Sequence, residues 1–448
     1  MNPAKRRPRQ MMHEPEIEAR PWPEQRRLDD ALYREQVAYL LGHSRFYRAK
    51  LGDAGFDTPE KIGGLDDIAA LPMTEKDELR ATRSAADPIG TQLAAPMEDL
   101  ARIYSTSGTT GTPSYIPLTA GDLENWVRTS SRSYAASGVE PGERIVSTYN
   151  AGPFVAGSAL DSFNRLGLCH IPIGTGNTER LMAAVEMLKP QALVCTPSYA
   201  LHLAEWGSAR GMDLPASSVK RILVAGEPGG GEEAMRARLE EVWGAQVTEA
   251  MGIGDIGASL WGECEAQQGM HFCARGFVHI ELIDPETGAS LPMEDGATGE
   301  LVYTHLAHRA APMLRFRSRD HVMVRTDTCR CGRTSPRVRC IGRTDDMLIV
   351  RGVNVFPSAI REVVNEFAPA VTGVISVRPG SKGVKQSPPL KVLVELAEGT
   401  SASEGLADTI RQRLRDKLVV TTRIDLVAAG SLPRSEYKSK LIDFAEAT

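Results

Sequence analysis

Apolar residues recur at helical spacing from 24 to 49, at Leu28, Leu32, Val37, Leu40 and Leu41, which predicts one or two amphipathic helices. Beyond Ile103 the texture changes to short apolar runs separated by helical patterns. Runs at 145–149, 170–173, 192–196 and 222–225 read as buried strands, with helices at 178–188 and 198–207 between them. Such alternation predicts a parallel sheet covered by helices. Past Gly276 the pattern becomes strand, turn, strand: 278–283, then Asp284-Pro285-Glu286-Thr287-Gly288, then 299–304, as in a small β subdomain. After Gly342-Arg343-Thr344-Asp345 come a strand (347–350), a helix (358–367), a strand (391–395), a helix (409–418) and a strand (423–427).

These elements predict an α/β protein in three parts. Residues 1–25 are polar, proline-bearing and without periodicity, and read as a disordered tail. Residues 26–342 form a large body of mostly parallel sheets with covering helices plus the β subdomain. Residues 343–448 form a small, mobile α+β domain, long enough to fold as a unit. The length of 448 residues suits this division, at roughly 100–200 residues per domain.

Composition narrows the setting. With 42% hydrophobic and 24% charged residues the chain is ordinary for a globular protein, and 52 Lys+Arg against 57 Asp+Glu give a net charge of −5. That balance argues against a general nucleic-acid binder. The basic cluster Lys5-Arg6-Arg7 to Arg9 has no apolar segment behind it, so it is not read as a secretory signal. No apolar run approaches the roughly 18 residues that cross a bilayer. Seven cysteines, an odd and sparse set, predict reduced thiols and a cytoplasmic protein.

The densest chemical signal is Ser105-Thr106-Ser107-Gly108-Thr109-Thr110-Gly111-Thr112-Pro113, directly after the apolar Ile103-Tyr104. Its glycines allow close backbone approach, and its hydroxyls and free N–H groups could wrap a polyphosphate. It is not the common P-loop, because Thr112 stands where that motif needs a lysine. Taken alone, it could equally be a surface loop.

Several further segments occur in one order with it. They are Gly226-Glu227-Pro228, Arg315-Phe316-Arg317-Ser318-Arg319-Asp320, Gly342-Arg343-Thr344-Asp345-Asp346-Met347-Leu348 and Leu432-Pro433-Arg434-Ser435-Glu436-Tyr437-Lys438. Together the set resembles the adenylate-forming superfamily of acyl-CoA synthetases and adenylation domains. Gly176-Asn177-Thr178-Glu179-Arg180, Thr196-Pro197-Ser198-Tyr199-Ala200, Arg351-Gly352-Val353-Asn354-Val355-Phe356-Pro357 and Cys331-Gly332-Arg333-Thr334 narrow the resemblance to phenylacetate–CoA ligases.

That resemblance implies a two-step reaction. A carboxylate attacks the α-phosphate of Mg·ATP to give acyl-adenylate and pyrophosphate, and the thiol of CoA then displaces AMP. It implies that residues 105–111 hold the phosphates, that Gly226, Glu227 and Pro228 with Met251 and Gly252 lie against adenine, and that Asp320 clamps the ribose hydroxyls. Arg343 reaches ribose or phosphate, Lys438 meets the carboxylate and α-phosphate, and Asp255 holds Mg²⁺. The lid turns about Asp345 to present a second face carrying Gly352 for the thiol step. Tyr149, Asn150, Phe154, Ala159 and Gly174 are candidates for the acid pocket, each also compatible with ordinary core. Arg319, Asp320, Arg343 and Asp345 could instead be a simple inter-domain ion-pair network.

Four positions depart from the family pattern: Met251 replaces an aromatic residue, Gly254 a hydroxyl, Tyr437 a glycine and Asp255 a glutamate. An aspartate can still hold Mg²⁺, a hard cation that prefers carboxylate oxygen. Separately, Cys264, His271, Cys329 and Cys331 could form a closed tetrahedral zinc site, or be four unrelated side chains, with Cys273 and Cys340 nearby in the sequence.

The sequence therefore predicts an ATP-dependent carboxylate–CoA ligase for an aromatic or arylacetic acid, a homodimer by resemblance, with no nucleic-acid or membrane partner. Two rivals remain: an aryl-acid adenylating enzyme that loads a carrier protein, and a catalytically weak nucleotide-binding homologue.

Overall fold

The computed structural model describes residues 12–105, 114–149, 155–351, 353–381, 383–434 and 440–445. A single twelve-stranded sheet forms the spine of the body. At one end Cys169–Pro172, Arg144–Ser147, Ala192–Cys195, Arg221–Ala225 and Gln246–Ile253 pair in parallel. From Gln246–Ile253 onward every pairing is antiparallel, through Gly257–Glu263, Met270–Phe272, Arg337–Arg343, Phe316–Arg325, Thr298–His305, Val278–Ile283 and Ser290–Leu291.

Side chains alternate across the parallel half, as strand geometry requires. Val146, Leu193, Ile222, Val224 and Val247 pack with helices Thr178–Leu188, Pro197–Ser208 and Glu233–Trp243. Ile145, Val194 and Leu223 face the opposite layer, with Tyr134 of helix Ala120–Ala136 and Phe163 of helix Gly157–Arg165. Helices thus cover both faces of the parallel half.

The α/β class holds, with two differences from expectation. The strands expected as a separate β subdomain extend the same sheet, so the sheet is mixed rather than mostly parallel. The second difference concerns the tail expected over 1–25: from Met12 to Gln25 the chain is packed. Glu14 receives Arg128 and the buried Arg132, and Glu18 pairs with Arg333 at 2.6 Å, both side chains being 3% exposed. Arg275 donates to the carbonyls of Ile17, Glu18 and Arg20 and to Thr334. This clamp is ionic, so it has no hydrophobic period to read.

The C-terminal residues have a core of their own, running from Leu348 to Ile442. Strands Val371–Arg378, Leu390–Leu396 and Thr422–Val427 make one small sheet, backed by helices Pro357–Asn365 and Glu404–Leu418. Of the three strands in that small sheet, Val371–Arg378 is the one that the apolar pattern missed, and Gly373 at φ +81° interrupts its run.

Removing Glu18 would leave Arg333 buried without its counter-charge. Glu18→Ala is expected to cost about 3–5 kcal/mol in chemical denaturation, whereas Glu16→Ala, at an exposed position, leaves the midpoint unchanged.

Candidate functional site

In an open α/β sheet the space beyond the carboxyl ends of the strands is where ligands bind. Five parallel strands here end along one edge. Past Ser147 comes Tyr149; past Pro172 comes Gly174, at φ +81°, whose N–H donates to the Ser147 carbonyl. Past Cys195 come Thr196, which caps the following helix, and Ser198. Gly226, Glu227 and Pro228 follow Ala225, and Gly254 and Asp255 follow Ile253. Parallel pairing therefore brings candidates more than 100 residues apart in sequence to one edge.

Each end has a local cause. Gly226 at φ +95° turns the chain, and Glu227 Oε1 accepts the Ser198 N–H at 2.8 Å, tying two strand ends together. Gly252 is required by close approach: a Cβ there would lie 2.1 Å from the Ala258 carbonyl oxygen. Gly254 is not so constrained, since a Cβ would meet only Val155 and Ile116 at ordinary contact distances. Packing does not force the missing hydroxyl.

Tyr149 is half-buried, and its side chain hydrogen-bonds Tyr134. Ala159 is 1% exposed and sits in the core with Tyr134 and Phe163. Met251 is half-buried and packs on the core of the antiparallel half.

On that antiparallel side, Asp320 of strand Phe316–Arg325 faces Arg343 across the ladder. Arg343 Nη1 lies 3.3 Å from Asp320, and its Nε and Nη2 donate to Asp345 at 2.9 and 2.8 Å. Burial works against the Arg343 charge, but Asp320 and Asp345 more than offset it and hold the guanidinium above its usual range. Of the ion-pair network considered as an alternative, Asp320, Arg343 and Asp345 are joined and link the strand to the expected hinge, whereas Arg319 pairs with Glu75 instead.

Asp255 is 7% exposed, and its Oδ2 accepts from Lys76 Nζ at 2.6 Å. No motif or period singles out Lys76, which lies in a linking segment. That segment is held alongside strand Phe316–Arg325 by Thr74, whose N–H donates to the Arg315 carbonyl and whose own carbonyl accepts from Arg317 N–H. A capping box between Glu75 and Glu78 then starts helix Lys76–Ala81 and aims the lysine.

Glu249 also went unnoticed. It lies under the chain that follows Pro228: a Cβ at Gly230 or Gly231 would approach it within 3.1 or 2.8 Å. Burial, then the neighbouring Glu263 carboxylate, pushes its carboxyl up to about 8, against the pull of Arg236.

Cys264, His271 and the Cys329-Arg330-Cys331 pair come together from three separate stretches, all four ligands buried, with their ligand atoms within 4.8 Å of one another. Cys264 Sγ lies 3.6 Å from Cys329 Sγ, and Cys331 Sγ lies 3.2 Å from His271 Nε2. The sulfurs are far beyond bonding distance and near the edge of about 3.8 Å expected for thiolates 2.3 Å from a shared tetrahedral ion. His271 Nδ1 is buried without a hydrogen-bond partner among the described residues. Cys273, by contrast, donates to the His271 carbonyl, and Cys340 lies on strand Arg337–Arg343 near the Gly342 carbonyl.

Of the remaining expected residues, Ser105 ends strand Leu100–Ser105. Thr106, Ser107, Gly108, Thr109, Thr110, Gly111, Asn150, Phe154, Gly352 and Lys438 lie outside the described residues, as do Thr112 and Tyr437.

Comparison with known proteins fits this geometry. The family of AMP-binding enzymes matches residues 28–306, and the AMP-binding enzyme C-terminal domain matches 352–443. The chain belongs to the AMP-binding enzyme family. It is 34% identical over 445 residues to a phenylacetate-coenzyme A ligase of Thermus thermophilus, covering 95% of this chain and 97% of the relative. A protein of the same name from Escherichia coli is 33% identical over 422 residues, covering 91% and 93%. Among solved structures, a 2-hydroxyisobutyryl-CoA ligase in its postadenylation state matches with TM-score 0.88 at 26% identity, over 99% of this chain and 94% of that one. The same ligase in its thioesterification state, with its acyl-AMP and CoA, matches with TM-score 0.71 at 28% identity, over 96% and 91%. This AMP-binding enzyme is thus more similar overall to that ligase's postadenylation structure than to its thioesterification structure.

Because Glu249 stays neutral in the fold up to about pH 8 but ionises near 4.5 in the unfolded chain, stability falls as pH rises across that window. Glu249→Gln is expected to flatten that fall, as measured by chemical denaturation at several pH values.

Proposed function

We propose that this AMP-binding enzyme is an ATP-dependent ligase joining an arylacetic acid, phenylacetic acid first among them, to CoA through an acyl-adenylate. The observation that carries the reading is the likeness to phenylacetate-coenzyme A ligases along nearly the whole chain, in a fold whose candidate residues meet at the strand ends. In the first step a carboxylate oxygen bonds to the α-phosphorus of ATP and pyrophosphate leaves. In the second the CoA sulfur, having lost its proton, bonds to the acyl carbon and AMP leaves.

The first step requires an anion to approach a polyanion, so the protein's contribution is charge placement. In this reading Asp320 accepts from the ribose hydroxyls, and Arg343, already aligned by Asp345, faces ribose or phosphate. The Gly226–Pro228 turn lies against adenine. Residues 105–111 hold the phosphates through N–H and hydroxyl groups. Lys438 reaches the α-phosphate as charge builds, and its flexible stem suits delivery by a moving domain.

Asp255 is the Mg²⁺ ligand in this reading, and the ion would supply charge neutralisation at the phosphates. Lys76 now neutralises the same carboxylate. Tyr149 and Gly174 border the acid. The mobile domain begins near Arg343, turns about Asp345, and brings Gly352 to the thiol step.

The reading extends to zinc held by Cys264, His271, Cys329 and Cys331. Four protein ligands leave no open position, so the ion would tie the antiparallel strands together rather than act on substrate. It also includes a homodimer, on family resemblance, and a cytoplasmic setting, supported by seven cysteines that are all free thiols. No described helix is long and apolar enough to cross a membrane.

ATP–pyrophosphate exchange across aryl, arylacetic and short aliphatic acids tests the first step. Exchange is expected with phenylacetate, and Lys438→Ala is expected to lower it about 100-fold or more. Exchange that never leads to CoA transfer would favour a carrier protein as acceptor, and absence of exchange in protein that binds ATP would favour a non-catalytic homologue. For the cysteine cluster, purified protein is expected to hold one zinc per chain. Cys329→Ser with Cys331→Ser should lose the zinc and lower thermal stability.

A further inference from the structure

One contact crosses from the C-terminal domain to the turn expected to lie against the nucleotide. Arg361, on helix Pro357–Asn365, is 3% exposed. Its Nη2 donates to the Pro228 carbonyl and, at 2.9 Å, to Glu232 Oε1. Glu232 is 5% exposed and caps helix Glu233–Trp243, with its N–H bonded to the Gly229 carbonyl. The guanidinium also lies near Glu227, whose charge favours its charged form. Gly229, at φ +144°, leaves room for it, because a Cβ there would lie 3.2 Å from Arg361 Nη2.

The other polar contacts between the same surfaces are less buried, among them Arg238 Nη1 donating to the Thr372 carbonyl. Arg339 pairs with Glu362 where both are about one-third exposed, and Arg434 lies 3.7 Å from Glu205. Arg361–Glu232 is thus the buried centre of the interface, where an ion pair is strongest if complete and costly if one partner is lost.

We infer that Arg361 is a positioning residue for adenylate formation: it fixes the Gly226–Pro228 turn from the C-terminal domain, so that turn and domain adopt the adenylation arrangement together. This rests on the ligase reading above. A guanidinium that holds the Pro228 carbonyl and Glu232 at once restrains the turn only while the domain is in place. When the domain rotates for the thiol step, Arg361 leaves, the turn loses its restraint, and Glu232 is exposed to water. Domain position and nucleotide grip are then one equilibrium, which both ligands bias.

The test separates the half-reactions. ATP–pyrophosphate exchange with phenylacetate reports the first; single-turnover transfer from preformed enzyme-bound acyl-adenylate to CoA reports the second. Arg361→Met and Glu232→Gln are expected to lower exchange about tenfold or more while leaving transfer as fast as in the unmodified enzyme or faster, and Arg361→Lys should recover part of the exchange. Arg413→Ala, which breaks an exposed pair within the C-terminal domain, serves as the control and should change neither step. Glu232→Gln is isosteric and decides the matter if Arg361→Met does not fold. Exchange unchanged in Glu232→Gln, or both steps falling in parallel, overturns the inference. Absence of exchange in the unmodified enzyme would instead overturn the ligase reading.

Discussion

Everything chemical in this protein depends on where one strand sits. Gln246–Ile253 pairs in parallel on one side and antiparallel on the other, so it is both the last strand of a doubly covered sheet and the first of an antiparallel extension. Parallel pairing requires the neighbouring strands to end at the same edge. Antiparallel pairing then brings Asp320 and Arg343 opposite one another further along the same sheet. The hairpin that makes the change is tight enough that position 252 must be glycine. A side chain there would push the two halves apart.

Much of the rest is held by charge. The first described residues carry few apolar side chains, and ion pairs to Arg128, Arg132 and Arg333, with hydrogen bonds from Arg275 to backbone carbonyls, fasten them. Arg361 does the same between domains, and Lys76 does so for Asp255. Each is a buried or half-buried pair, so each is sensitive to loss of one partner in a way that surface pairs are not.

The sequence showed part of this well. Apolar runs located four of the five parallel strands and the helices at 178–188 and 198–207 within a residue or two, because buried strands of a parallel sheet leave a continuous apolar mark, while Gln246–Ile253, broken by polar residues and glycine, was missed. The ordered motifs place the chain in its family from the sequence alone. What escaped were residues whose importance lies in a distant partner. Lys76 is one lysine in a polar link until the Thr74 bonds lay it beside Asp255. Arg361 is a charge on a helix pattern until that helix meets the Pro228 turn. The ionic clamp of 12–25 reads as a tail for the same reason. Pairing over hundreds of residues leaves no local period.

The central claim is that the chain makes a thioester from an acid, ATP and CoA by way of AMP. Mass spectrometry of the products from phenylacetate, Mg·ATP and CoA tests it in one reaction. The account predicts phenylacetyl-CoA formed with equal amounts of AMP and pyrophosphate. A thioester accompanied by ADP and phosphate, or no thioester from any arylacetic acid, would contradict it.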